Sequence, residues 1–108
     1  MKKLVVANAF SINMLFKITA DVRFTKIPVE LARQLAQDCE VTSVVGHANT
    51  AEVFSSVLEK HIPFNRVNFV WDDDSILLVG QVKGRLAEGT TTLPEGIVID
   101  WYEVTLIR

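Results

Sequence analysis

The residues best placed to do chemistry in this 108-residue chain gather in three short segments, and the first holds His47. Thr42-Ser43-Val44-Val45-Gly46-His47-Ala48-Asn49-Thr50 reads as a β-branched strand that ends at a glycine and opens into a helix. A helix start exposes free backbone N–H groups, which suit a phosphate, and a histidine beside them could pass a proton to or from a phosphate ester. The same spacing fits a helix-start residue hydrogen-bonded to its own turn. The second segment, Gln81-Val82-Lys83-Gly84-Arg85-Leu86-Ala87-Glu88-Gly89, leaves a strand through two glycines. There Arg85 offers a planar fork to phosphate oxygens, and Glu88 could orient a hydroxyl or an imidazole. A solvated strand end with an Arg85–Glu88 ion pair would have the same sequence. The third segment follows the first strand, where Asn8, Ser11 and Asn13 could meet the sugar or base edges of a ligand or bond their own backbone in a turn.

Other chemistries find little support. His47 and His61 lack metal-ligand spacing to each other or to the single cysteine, so no metal is expected. Asp72-Asp73-Asp74 has the look of a solvated turn rather than a cation site. Neither a Walker loop nor a dinucleotide fingerprint is present, and no cofactor is expected.

The elements that must hold these residues follow from hydrophobic period. Lys3 to Asn8 is a short buried strand. From Leu15 to Thr25, Phe16, Ile18, Ala20, Val22 and Phe24 alternate with polar residues, which predicts a strand with one buried face. Leu31, Ala32, Leu35 and Ala36 give a helix over about Pro28 to Asp38, with Pro28 in its first turn. Val41 to Val45 is a strand. Val53, Phe54, Val57 and Leu58 give a second helix from Ala48 to Lys60, capped by Asn49 or Thr50, with Glu52 near the positive end of its dipole. Arg66–Trp71 and Ser75–Val82 are expected to pair as a hairpin across Asp72–Asp74, and Ile97–Ile107 forms the last strand, apolar enough to lie at an interface. The expected architecture is α/β: a single domain over 1–108, with a mixed β-sheet of about five or six strands flanked by helices.

Composition narrows the partner. A chain this short holds one core, and its 49% hydrophobic content is ample for it. The longest apolar runs are too short to span a bilayer, and the run after Lys2-Lys3 is broken at Asn8, so neither a membrane segment nor an export signal is expected. The lone Cys39 fits a structural role in a reducing cytoplasm. With a net charge of −2 the chain has no basic surplus for a long nucleic-acid track, whereas a compact phosphorylated ligand needs only a few convergent cations.

Four segments in order carry a resemblance: Asn8-Ala9-Phe10-Ser11-Ile12-Asn13, Thr42 through Glu52, Pro63-Phe64-Asn65-Arg66-Val67, and Gly84-Arg85-Leu86-Ala87-Glu88-Gly89. Together they resemble the viral ring nucleases, small type III anti-CRISPR proteins of archaeal viruses, phages and mobile elements, grouped with the STIV B116-like α/β proteins. The resemblance implies a metal-independent enzyme that binds cyclic tetra-adenylate across a homodimer and cleaves it to linear di-adenylates bearing 2′,3′-cyclic phosphates. It implies catalytic roles for His47, Arg85 and Glu88, and ligand contacts from Asn8, Ser11, Asn13, Gly46, Arg66 and Gln81. His47 would protonate the leaving 5′-oxygen, Arg85 would hold the phosphate, and Glu88 would position the 2′-hydroxyl or His47. A C2 dimer suits the ring, since fourfold repetition contains a twofold axis. The competing expectations are a protein that sequesters the cyclic nucleotide without cutting it, and a regulatory protein of a mobile element.

Overall fold

The computed structural model describes residues 2–15, 19–71 and 75–107. Five strands build one mixed sheet in the order β2-β5-β4-β1-β3: β1 Lys3–Ala7, β2 Asp21–Ile27, β3 Glu40–Ser43, β4 Ser75–Lys83 and β5 Val98–Ile107. β1 runs parallel to both β3 and β4, whereas β5 is antiparallel to β4 and β2. Helix α1, Val29–Asp38, leads into β3, and α2, Ala48–Leu58, leaves from it. The parallel pairings are those expected where helices carry the chain between strands.

Strand alternation sends side chains to two unlike faces. On one, Leu4, Val6, Leu78 and Trp101 meet Ala32 and Ala36 of α1 and Ala51, Phe54 and Leu58 of α2 in a closed core. Small residues on the helices let them approach the sheet, and Phe54 lies 4.8 Å from Trp101 between ring centroids. Among the described residues no α-helix packs on the other face. Val5, Ala7, Leu77, Val79 and Val104 are covered there by Trp71, Phe10, Met14, Leu15 and Phe69 from irregular segments. Toward the β2 edge the cover thins to Phe10, whose ring meets Phe24 edge-on at 5.2 Å between centroids, and Phe24 keeps half its surface in solvent at 50%.

The expected strand over Arg66–Trp71 does not form; these residues have no regular structure. Both edges of β4 are already taken, by β1 and β5, so a hairpin partner has nowhere to pair. The segment instead crosses the face on a few anchors: the Asn65 N–H donates to the Val45 carbonyl at 2.9 Å, and the Trp71 N–H to the Met14 carbonyl at 2.7 Å. The turn assigned to Asp72–Asp74 lies outside the described residues, as do Phe16 and Ile18. β2 begins at Asp21 rather than Leu15, and its alternating face is half bare rather than buried. β5 is an interior strand whose backbone is paired on both sides, so only its faces, not an edge, are open to an interface.

Two helix starts also differ from expectation. Pro28 is the cap of α1 rather than part of its first turn. His47, not Asn49 or Thr50, occupies the cap of α2, with an extended backbone at φ −133° and ψ 129°, and Glu52 lies beyond the first turn. α2 ends at Leu58 because Glu59 turns left-handed at φ 54°. The Arg33 guanidinium donates to the Val57 carbonyl at 2.8 Å there, serving a helix end that its own chain leaves open.

Candidate active site

β4 delivers one half of the site and the α2 start the other. Beyond Lys83 the chain passes through Gly84 at φ +130°, where a Cβ would stand 2.5 Å from Ile97 Cδ1. Only glycine fits that position, and it turns the chain outward into Arg85. Three residues on, the Thr90 N–H closes a turn onto the Ala87 carbonyl at 3.1 Å. Gly89, at φ +83°, holds the position of that turn that needs a positive φ. Glu88 therefore sits on the rim of a fixed turn. The Asn49 amide, from the first turn of α2, reaches the same Ala87 carbonyl at 3.4 Å and ties the loop to the helix.

His47, Arg85 and Glu88 thus line one open cleft of about 570 Å³, together with Asn49, Thr50 and Leu86. All three side chains are exposed. The His47 imidazole makes no capping hydrogen bond, so the helix-start residue bonded to its own turn is not what forms. Among the described residues neither Arg85 nor Glu88 has an ion-pair partner; the pairs present are Lys26–Asp100, Arg33–Glu59 and Lys83–Asp100. An Arg85–Glu88 pair is therefore absent as well. The cleft presents an imidazole, a guanidinium and a carboxylate at the positive end of a helix, a set able to bind an anion and transfer a proton to it.

The remaining sequence-derived positions divide. Asn8 and Gln81 line a second groove of about 440 Å³ on the opposite face of the sheet, with Phe10, Phe24 and Tyr102. Ser11 and Asn13 line a third of about 400 Å³, beside Val67 and Phe69. Ser11 accepts the Asn13 N–H at 3.2 Å and caps the short 3-10 turn Ile12–Met14, the local role that turn chemistry allows. Gly46 joins two of these regions: its N–H donates to Asn8 Oδ1 at 3.3 Å, and a Cβ on it would lie 3.6 Å from Arg66 Cγ. Asn65 supports the same corner through its amide on the Ser43 carbonyl at 2.9 Å.

Sequence reasoning passed over a buried carboxylate. Asp100, 7% exposed, lies 2.9 Å from Lys83 Nζ through Oδ2 and 3.4 Å from Lys26 Nζ through Oδ1. The hydrogen bond from Lys83 holds the Asp100 carboxyl below its ordinary range, and the same interaction raises the Lys83 ammonium above its own. Asp100 interrupts an otherwise apolar strand pattern, Val98-Ile99-Asp100-Trp101, and that interruption was the available signal. Among the described residues no group of three or more His, Cys, Asp or Glu side chains could hold a metal ion, and no helix is long and apolar enough to cross a membrane.

A mixed five-stranded sheet with two helices on one face makes this a small α/β protein. The chain belongs to the STIV B116-like family, whose pattern it matches over residues 4–103. Its fold is similar to that of B116 of Sulfolobus turreted icosahedral virus, with a TM-score of 0.77 and 25% identity over 95% of this chain and 98% of that one. It is also 34% identical over 64 residues to uncharacterized protein 26 of Sulfolobus islandicus filamentous virus (isolate Iceland/Hveragerdi), across 59% of this chain and 54% of that protein. The match thus spans about half the length of that curated relative.

Proposed function

We propose that this protein is a metal-independent ring nuclease that binds and cleaves cyclic tetra-adenylate, acting as an anti-CRISPR protein in the cytoplasm of an infected host cell. The observation that carries the proposal is the meeting of His47, Arg85 and Glu88, distant in sequence, on one open cleft at the start of α2. Their resemblance to the catalytic set of the viral ring nucleases gives the cleft its substrate.

The chemistry needs only what RNA and these side chains supply. The 2′-oxygen attacks the adjacent phosphorus, forming the 2′,3′-cyclic phosphate, and the P–O5′ bond breaks. His47 in its protonated form gives its proton to the departing 5′-oxygen, and the 2′-hydroxyl proton leaves to Glu88 or water. Arg85 holds the phosphate and stabilises the charge that builds on its oxygens. Glu88, fixed on its turn, orients the 2′-hydroxyl. A homodimer presents two such clefts to one ring, and two cuts give two identical linear di-adenylates.

Product analysis after incubation with cyclic oligoadenylates of several ring sizes tests this directly. The expected products from the four-membered ring are di-adenylates with 2′,3′-cyclic phosphate ends, formed at an undiminished rate in excess chelator. Tight binding without products would make the protein a sequestering one instead. If the ring neither binds nor raises the melting temperature, a regulatory role unconnected with it becomes the better account.

A further inference from the structure

The β2 side of the second sheet face carries a charge arrangement that the cleft does not use. Phe24 and Lys26 of β2, Asp100 and Tyr102 of β5, and Gln81 and Lys83 of β4 alternate onto this one face. Register places Lys26 opposite Tyr102 and Gln81 opposite Asp100. The two lysines flank the carboxylate from either side, so three strands each contribute one charge.

Two features make this more than a staple between strands. One ammonium would neutralise Asp100; the second leaves the cluster with a net positive charge. The carboxylate is also buried at 7% exposure while each lysine keeps 60%, so what faces solvent is the pair of cations. Beside them lies the groove of about 440 Å³ lined by Phe24, Tyr102, Asn8 and Gln81, with Phe10 edge-on to Phe24 at 5.2 Å between ring centroids. Aromatic surface next to fixed cations is what binds single-stranded nucleotides, base on ring and phosphate on ammonium.

We propose that Lys26 and Lys83, set in place by the buried Asp100, form a phosphate clamp for an adenylate chain whose base stacks over Phe24 and Tyr102. Its choice of adenylate rests on the function proposed above, while the clamp itself rests on the charge arrangement. Asp100 acts here as a positioning residue. By holding both flexible side chains before the ligand arrives, it removes rotamer freedom that binding would otherwise have to quench.

The test uses the full chain and the linear dinucleotide adenylyl-(3′→5′)-adenosine, with adenosine as the phosphate-free control. In two-dimensional amide NMR the dinucleotide is expected to shift Phe24, Lys83 and Tyr102. The double variant Lys26→Gln/Lys83→Gln should weaken the dinucleotide about tenfold and leave adenosine unchanged. It should also flatten the salt dependence of dinucleotide binding, because the ammonium–phosphate attraction that salt screens is gone. Lys26→Arg/Lys83→Arg should restore binding. Asp100→Asn separates positioning from charge: a positioning role weakens the dinucleotide although the protein becomes more positive, and tighter binding would refute that role. No shift on this face at millimolar dinucleotide, or equal affinity in the double glutamine variant with its fold intact, overturns the clamp. A protein that cleaves the ring but ignores these substitutions loses only the clamp. One that binds the dinucleotide here without cleaving the ring loses only the nuclease.

Discussion

The two polar clusters at the end of β4 lie two residues apart in sequence and on opposite sides of the sheet, yet they are held in opposite ways. In the cleft, His47, Arg85 and Glu88 are exposed and come from a helix start and a loop, positioned by glycine turns and by the Asn49 amide. On the bare face, Lys26, Lys83 and Asp100 are fixed by strand register, and their charges engage one another. The difference teaches what each can do. Charges with no ion-pair partner among the described residues are suited to following a reacting phosphate. Charges already paired and ordered are suited to holding one still.

The sharpest way to break this comparison is at His47. Replacing it with alanine is expected to lower ring turnover by about 100- to 10,000-fold, the usual worth of a general acid, while ring affinity stays within a few-fold. Since its side chain caps nothing, the melting temperature should not move. A variant that turns over normally would remove His47 from the chemistry.

Gly80 lies on the strand that feeds both clusters. A Cβ there would stand 2.6 Å from both Phe54 Cζ and Trp101 Cζ3, in a core with no slack. Gly80→Ala should therefore cost about 1–3 kcal/mol in denaturant unfolding, and disturb cleft and clamp together. Loss at one cluster only would show that they are less coupled through β4 than the sheet suggests.

Acid should separate the clusters. The Asp100 carboxyl is held low by Lys83, so the stability it contributes is complete above its unfolded value of about 4 and is lost as pH falls through the folded value. The raised Lys83 ammonium works in the other direction: its contribution is complete below its ordinary value of about 10.5 and is lost as pH rises through the raised one. The difference in melting temperature between wild type and Asp100→Asn should be steady near neutrality and shrink below about pH 4. A gap that stays constant into strong acid would mean the carboxylate's charge contributes nothing.

The smallest effect is expected at Asn49, whose long hydrogen bond to Ala87 links α2 to the Arg85–Glu88 loop. Asn49→Ala should cost about 0.5 kcal/mol of stability. It should act on ring turnover more than on binding, because it loosens the loop that carries two of the three cleft residues.

By itself the sequence determined the local elements. Helical spacing located α1 and α2 within a residue or two at most ends, and the strands expected at Ser75–Val82 and Ile97–Ile107 match β4 and β5 to within a residue. The strand–glycine–helix segment put His47 at a helix start, because those features depend on residues a few positions apart. Arg66–Trp71 shows where local pattern runs out: its composition is strand-like, but whether a strand forms depends on a free edge, and β1 and β5 had taken both edges of β4. The cleft was legible only through resemblance, since nothing in the spacing of His47, Arg85 and Glu88 says that a helix start and a strand end will face each other. Asp100 read as an interruption in an apolar strand. Only the register of three strands turned it into a buried anchor for Lys26 and Lys83, because electrostatic pairing acts across space while sequence pattern records neighbours along the chain.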